Sequence, residues 1–209
     1  MNLRDKDTIV FAGDSVTDAE KLTTEDGLGR GYVKLVRDAL IAFRPAEEYR
    51  VINAGVNGNT SRELLARWEK DVSEKKPDIL FCMIGINDVW RHFDYLHPSA
   101  RFVSEEEFGQ NLQAICEKSK QVRDFCLIPP YFMERNRSDE MRCMTERYAE
   151  IVRKVAAQRG VRTLELQPSF DAYMLHRSGL SISWDRVHPG TIGALIIARS
   201  ILSELGLFR

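Results

Sequence analysis

Five short segments of the chain are apolar in nearly continuous runs: "TIVFAG", "YRVINAG", "DILFCMIG", "VRDFCLIP" and "VRTLELQ". Strict alternation would mark strands with one face in water, whereas continuous runs mark strands covered on both faces, as in a parallel sheet. Between them, apolar positions recur at helical spacing: Tyr32, Val36, Leu40 and Phe43; Leu64, Trp68 and Val72; Phe108, Leu112 and Ile115; Met144, Tyr148, Ile151 and Val155. Each group makes one stripe on a helix that can cover a sheet face. A last amphipathic run, Ile192, Leu195, Leu202 and Leu205, follows Pro189. Ser104 and Glu107 have the spacing of a capping box, and Gly160 stands where the fourth helix should stop. No Pro/Gly/Ser-rich linker and no repeat interrupts the alternation. The pattern predicts one α/β domain over residues 1–209, with three α/β/α layers built on a five-stranded parallel sheet.

Ligands of such sheets gather at the carboxyl ends of the strands, so the residues that follow each strand carry the chemical information. Polar clusters stand there. The first strand is followed by Gly13-Asp14-Ser15, the second leads into "NAGVNGNT" (residues 53–60), and the third is followed by Gly85-Ile86-Asn87-Asp88. A fourth cluster, Trp184-Asp185-Arg186-Val187-His188-Pro189, precedes the last helix. All four are expected to meet at one edge.

A serine hydroxyl becomes a nucleophile near neutral pH when an imidazole takes its proton and a third group fixes the imidazole's tautomer. Asp185 and His188, three positions apart, can supply both to Ser15. Asp94 and His97 repeat the DxxHP spacing, but they lie in a long loop after the third strand rather than beside the last helix. Position therefore favours Asp185 and His188. Acyl transfer also needs donors aimed at a developing oxyanion. The candidates are the backbone N–H of Ser15, the N–H of Gly58, where the missing Cβ permits close approach, and the side-chain amide of Asn87. Taken alone, Gly58 reads as a turn and Asn87 as a helix cap; beside Ser15 and His188 both read as oxyanion donors. Asp14 and Asp88 read as acceptors that brace loops. Trp90, Arg91 and Trp184 flank these clusters and are candidates for substrate binding, with indole faces that can stack on sugar rings and exclude a long acyl chain. Either indole can instead be a core filler, Trp90 more readily than Trp184.

The charge balance narrows the partners. Thirty Lys and Arg against 31 Asp and Glu leave a net charge of -1, too little to hold nucleic acid or an anionic membrane. A small neutral partner fits better. The N-terminal "MNLRDKDTIVFAGDS" is charged where a secretory signal needs an apolar core, and no run approaches the ~20 apolar residues of a membrane span. A cytoplasmic location is the expectation. Cys82, Cys116, Cys126 and Cys143 form no CxxC pair and read as reduced thiols rather than metal ligands. The loop "VWRHFDYLHPSARFV" carries more apolar surface than a monomer would expose, which predicts a homo-oligomer unless the loop covers its own active site.

These blocks resemble the SGNH (GDSL) hydrolase superfamily. "GDSVT" supplies Ser15, "NAGVNGNTS" supplies Gly58, "GIND" supplies Asn87, and "DRVH" supplies Asp185 and His188, in the family's order and across most of the chain. The resemblance implies a flavodoxin-like sheet, ester hydrolysis by a Ser-His-Asp triad, and no metal or other cofactor. Ser15 lacks the G-x-S-x-G setting of a nucleophile elbow, which disfavours the α/β-hydrolase fold. The longer strings "GLGRGYV", "NGNTSRELLARWEKDV", "MIGINDVWR", "DEMRCMTERY" and "WDRVHPG" are similar to bacterial intracellular acetylxylan esterases. That similarity implies a small acetylated saccharide as substrate and a ring-like homo-oligomer. Three other readings compete. A nucleotide binder would need a phosphate-binding glycine motif after the first strand, and none is present. An inactive carbohydrate-binding scaffold would not need Ser15, Asp185 and His188 together. A lysophospholipase or thioesterase would prefer longer acyl chains.

Overall fold

The computed structural model describes residues 1–94 and 102–208. Five strands, β1 (Thr8–Gly13), β2 (Arg50–Gly55), β3 (Ile79–Met83), β4 (Asp124–Ile128) and β5 (Arg162–Thr163), form one parallel sheet in the order β2-β1-β3-β4-β5. This is the flavodoxin-like order anticipated from the sequence. β1 is flanked on both sides, and Ile9 to Ala12 are fully buried, which is why its apolar run is unbroken. Phe11 stacks on Phe81 of β3 at 5.3 Å and meets the edge of Tyr32 at 5.6 Å. These rings join the middle of the sheet to its helical cover.

Because the chain steps from β1 to β2 in one direction and from β2 onward in the other, right-handed crossovers put the covering helices on opposite faces. Helix α2 (Tyr32–Phe43) packs with the C-terminal helix α9 (Thr191–Glu204). On the other side α3 (Ser61–Ala66), α6 (Glu105–Lys118) and α7 (Glu140–Arg159) pack in succession. Short helices follow three of the strands: α1 (Ser15–Asp18) after β1, α5 (Ile86–Trp90) after β3, and α8 (Gln167–Met174) after β5; α4 (Trp68–Asp71) continues α3. Among the described residues, no helix is long and apolar enough to cross a membrane. The four cysteines are unpaired, three of them buried.

The structure corrects several local expectations. The second amphipathic run, Leu64, Trp68 and Val72, is not one helix, because α3 stops at Ala66 and α4 starts at Trp68, with Arg67 between them at φ -100° and ψ 4°. The last predicted strand shrinks to Arg162–Thr163, an exposed edge, because the chain turns into α8 and Arg153 holds the Glu165 carboxylate through two bonds of 3.0 Å. Ser104 does cap α6 by accepting the Glu107 N–H at 3.1 Å, but the Glu107 carboxylate goes to Arg62 instead of closing the box. The complete capping box is Thr60 with Glu63 at the start of α3. Ile192 and Leu195 face solvent on α9, whose buried face is built by Ala194, Ile197, Ala198, Ile201 and Leu202. Gly160 ends α7 at φ 65°, as anticipated.

One buried charge anchors the half of the fold that leads to the last cluster. Arg142, on α7, is almost wholly buried and makes paired bonds of 2.9 Å to both oxygens of Asp171 on α8. It also donates to the carbonyls of Phe132 and Glu134. Burial alone would raise the Asp171 carboxyl, but the Arg142 guanidinium overrides it and holds the group below the ordinary 3.8. Asp171→Ala leaves the buried guanidinium with only the half-exposed Glu146 as a carboxylate partner, at 2.9 Å, and a loss of about 3 kcal/mol in chemical denaturation at neutral pH is expected. A loss below about 1 kcal/mol would mean that water screens the pair. Since the folded-state value is depressed, the contribution is complete above pH 3.8 and is lost as pH falls through that lower value. The gap between wild type and Asp171→Ala therefore closes in strong acid.

Candidate active site

The strand register fixes where the polar clusters go. Gly13 pairs with both Gly55 and Met83, and Met83 pairs with Ile128, so β1 to β4 end in line. The next residues of β1, β2 and β3 emerge at the same edge and carry Ser15, Gly58 and Asn87, while His188, from the turn before α9, meets Ser15 there.

Ser15 is the first residue of α1. The Asp14 carboxylate caps that turn by accepting the Val16 N–H at 3.0 Å, and the Ser15 N–H, at the helix start, has no acceptor within the helix. Ser15 Oγ lies 2.8 Å from His188 Nε2, and His188 Nδ1 lies 2.6 Å from Asp185 Oδ2. The other carboxylate oxygen, Oδ1, accepts from Ser183 Oγ at 2.9 Å, Val187 N at 3.0 Å and His188 N at 2.8 Å. Burial pushes the Asp185 carboxyl up, but these donors, led by the His188 ring, keep it below 3.8. The carboxylate is therefore ionised near neutral pH and can only accept. Nδ1 must carry the ring proton, which leaves Nε2 of the neutral imidazole to accept the Ser15 O–H. This chain of bonds can draw a proton from the serine as it attacks a carbonyl.

The turn carrying Asp185 and His188 is held from outside. Arg186, between them, has φ 69°, a left-handed conformation that costs a non-glycine residue free energy. Its guanidinium bonds Glu134 at 2.9 Å and Asp139 at 3.1 Å and lies 4.8 Å over the Phe132 ring, while its carbonyl accepts the Met133 N–H at 2.8 Å. The Gly190 N–H closes the loop onto the Ile182 carbonyl at 2.7 Å.

Gly58 occupies the third position of a turn closed by Asn59 N–H to Val56 C=O at 3.2 Å, with φ 77°, where a side chain would be strained. Asn87 is buried in the first turn of α5 and donates one amide hydrogen to the Asn59 carbonyl at 3.0 Å, so its second hydrogen is not needed there. α5 follows Gly85, whose φ is 127° and where an added Cβ would stand 2.9 Å from the Phe108 ring, so no side chain fits. Asp88 accepts from Ser61 N–H and Oγ–H, and Asn111 in turn donates to Ser61 Oγ. Burial raises the Asp88 carboxyl to about 7 and the Asp14 carboxyl to about 6. Both act as the braces the sequence suggested.

The three substrate candidates separate. The Trp90 ring lies 5.9 Å from the His188 ring at 49°, half-buried at the site. Arg91 reaches the space above Gly58 and bonds Asp94 at 3.2 Å. Trp184 is 81% exposed and lines no part of the cleft beside Ser15. That cleft, about 500 Å³, is bounded by Ser15, His188, Asp18, Glu20, Arg30, Asn57, Pro189 and Thr191. A smaller apolar slot of about 10 Å³ lies among Val16, Ile84, Ile86, Tyr131 and Val187. A larger cavity of about 660 Å³, beside Arg186 and Leu180, contains neither Ser15 nor His188. His97, the alternative imidazole, lies outside the described residues. Among those described, no three His, Cys, Asp or Glu are grouped to hold a metal.

Sequence reasoning missed Arg67, Asn59 and Ser183. Arg67 did leave a signal: it stands three positions after Leu64 and one before Trp68, both buried, so it falls on the covered side of its helix, where a lone charge is unusual.

Comparison with known proteins agrees with this geometry. Residues 11–196 match the GDSL-like Lipase/Acylhydrolase family. An acetylxylan esterase of Geobacillus stearothermophilus is 35% identical over 212 residues, covering 99% of this chain and 97% of its own. Its crystal structure superimposes with a TM-score of 0.94, covering 100% of this chain and 98% of its own. Catalytic mutants of that esterase, with one serine, aspartate or histidine changed to alanine, have also been solved and match with TM-scores of 0.93, 0.94 and 0.94. An alpha/beta hydrolase enzyme from the metagenome of Lake Arreo, Spain, is 36% identical, with a TM-score of 0.93 and coverage of 99% and 98%. The chain belongs to the GDSL-like lipase/acylhydrolase family and is a carboxylic ester hydrolase.

Proposed function

We propose that the chain acts as one domain and removes acetyl groups from xylo-oligosaccharides or related sugars, with Ser15, His188 and Asp185 as a catalytic triad. The observation that carries this reading is the unbroken chain of hydrogen bonds from Ser15 Oγ through His188 to Asp185. In the Geobacillus esterase the mutated catalytic aspartate and histidine stand three positions apart, as Asp185 and His188 do. Ser15 Oγ attacks the ester carbonyl while His188 Nε2 takes its proton, and Asp185 stabilises the imidazolium. The tetrahedral oxyanion is held by the N–H groups of Ser15 and Gly58 and the free amide hydrogen of Asn87. His188 then protonates the departing sugar oxygen, leaving an acetyl-Ser15 ester. Water, activated by the same imidazole, cleaves that ester and returns the proton to Ser15.

Two features favour a short acyl group and a polar alcohol. The apolar slot between Val16 and Val187 has room for one water-sized group, hence a methyl but not a chain. The open cleft on the other hand is lined with Asp18, Glu20, Arg30 and Asn57, groups that suit sugar hydroxyls. Trp90 can wall the acyl side against His188. Trp184 faces solvent and does not contribute such a wall within a single chain.

The homo-oligomer also remains part of the proposal, on a different surface from the one the sequence suggested. The described flanks of the loop after α5 pack onto their own chain: His92 stacks on Phe102 at 4.9 Å, and Tyr148 donates to the Val103 carbonyl at 2.6 Å. Leu175, Leu180 and Trp184, by contrast, are 67%, 72% and 81% exposed, and Leu175 and Leu180 line one cavity, so these are the apolar side chains that a second copy would cover.

Ser15→Ala and His188→Ala should each lower kcat on p-nitrophenyl acetate by at least about a thousandfold, with melting temperature unchanged. A tenth of the wild-type rate in Ser15→Ala would remove it as nucleophile. Asn87→Ala should cost about a hundredfold or more in kcat with KM little changed, because its donor serves the transition state. p-Nitrophenyl acetate should be cleaved far faster than the octanoate, and acetylated xylo-oligosaccharides should release acetate. A preference for octanoate would instead support the lysophospholipase or thioesterase reading. Light scattering at micromolar concentration should give a multiple of 24 kDa, and a 24 kDa species would rule out the oligomer.

A further inference from the structure

Arg67 makes more contacts to the site than any packing role would require. Its Nη2 donates to the Gly13 carbonyl at 2.8 Å, two residues before Ser15. Its Nη1 donates to the Ala54 carbonyl at 2.8 Å, at the end of β2, and to Asp71 Oδ2 at 3.0 Å. Its Nε donates to Asn59 Oδ1 at 2.6 Å. Asn59 follows Gly58, and its carbonyl is the acceptor that orients the Asn87 amide. One guanidinium is thus in contact with, or one hydrogen bond from, the segments carrying all three oxyanion donors.

We propose that Arg67 is a positioning residue for ester hydrolysis, clamping the strand end before Ser15 to the Gly58–Asn59 turn so that the Ser15, Gly58 and Asn87 donors face one point. The proposal rests on the triad and oxyanion reading given above. Three observations carry it. The Gly13 carbonyl is held twice, by Arg67 and by the Val56 N–H at 3.1 Å, so the exit of β1 and the start of the Gly58 turn share one anchor. The helical run is interrupted at Arg67 itself, between α3 and α4, where the pattern of Leu64, Trp68 and Val72 would have continued it. The acceptors also lie in different directions around a planar fork, which a guanidinium can meet at once and a lysine ammonium on its flexible stem cannot. Asp71 balances the charge, so the clamp does not leave a bare cation under the site.

A residue that merely stabilised the sheet would lower the melting temperature and leave the kinetics of the folded enzyme intact. A positioning residue moves kcat and not KM, and its effect shrinks once the donor it positions has been removed. The experiment measures kcat, KM and melting temperature with p-nitrophenyl acetate for Arg67→Lys, Asn59→Ala, Asn87→Ala and the two double variants with Asn87→Ala. Asn59→Ala cuts the clamp from its other end and keeps the backbone of the turn, so it decides the matter if Arg67→Lys fails to fold. Arg67→Lys is expected to lower kcat about thirtyfold and Asn59→Ala about tenfold, with KM within about threefold of wild type. On the Asn87→Ala background Asn59→Ala should cost less than about threefold further, and Arg67→Lys, which also holds the strand end before Ser15, about tenfold instead of thirtyfold. Wild-type kcat in the folded single variants, a change in KM alone, or losses that multiply fully in the double variants would overturn the proposal. Failure of the esterase reading itself would be seen separately, as activity surviving in Ser15→Ala.

Discussion

The site depends on the register of three parallel strands. Gly13 is paired with Gly55 on one side and Met83 on the other, so β1, β2 and β3 end level and their next residues leave the sheet side by side. A one-residue slip of any strand would turn its side chains to the opposite face and carry its loop away from the edge. The register is itself protected by burial, since Ile9 to Ala12 and Ile79 to Cys82 have almost no solvent contact. Hydrophobic packing in the middle of the sheet thereby sets hydrogen-bond distances at its end.

On that frame, buried carboxylates take opposite roles according to their donors. Asp185 accepts from a ring nitrogen, two backbone N–H groups and a hydroxyl, and stays ionised despite burial. Asp14 and Asp88 have fewer donors and are wholly enclosed, so burial prevails and raises them to about 6 and about 7. The protein thus keeps full negative charge where an imidazolium forms during turnover and reduces it where the carboxylate serves only to hold a helix start. The same balance of donors against burial explains why Asp171, gripped by Arg142, is held low.

The sequence showed the strands and the four site clusters because both are written locally. A doubly covered strand must be apolar throughout, and a residue at a strand end needs only its own loop to place it. Ser15, Gly58 and Asn87 are of this kind, and Asp185 and His188 stand three positions apart in one turn before α9. What could not be read depends on partners distant in sequence. Glu107 matches a capping box with Ser104, but Arg62, 45 positions away, takes its carboxylate. Arg67 lies in a regular helical pattern, yet a carbonyl 54 positions earlier draws it out of register. Trp184 is adjacent to Asp185 in sequence, but the turn that places the carboxylate inward leaves the indole in solvent. Sequence adjacency carries no information on direction when a loop reverses between neighbours.

The loops that flank Ser15 and His188 carry backbone strain. Ala19 and Glu20 after the Ser15 turn, and Arg186 beside the acid, all adopt positive φ without being glycine. Each is held by groups outside its own loop: the Arg30 N–H bonds the Ala19 carbonyl at 2.8 Å, Glu20 pairs with Arg30 at 3.5 Å, and Arg186 is tied to Glu134 and Asp139. Strained backbone of this kind persists only where surrounding contacts over-determine it, at a cost of about 1–3 kcal/mol per residue. A rigid sheet meets that condition. The buried sheet gives the loops at its edge fixed ends, and these loops hold Ser15 Oγ and His188 Nε2 at 2.8 Å before any substrate arrives.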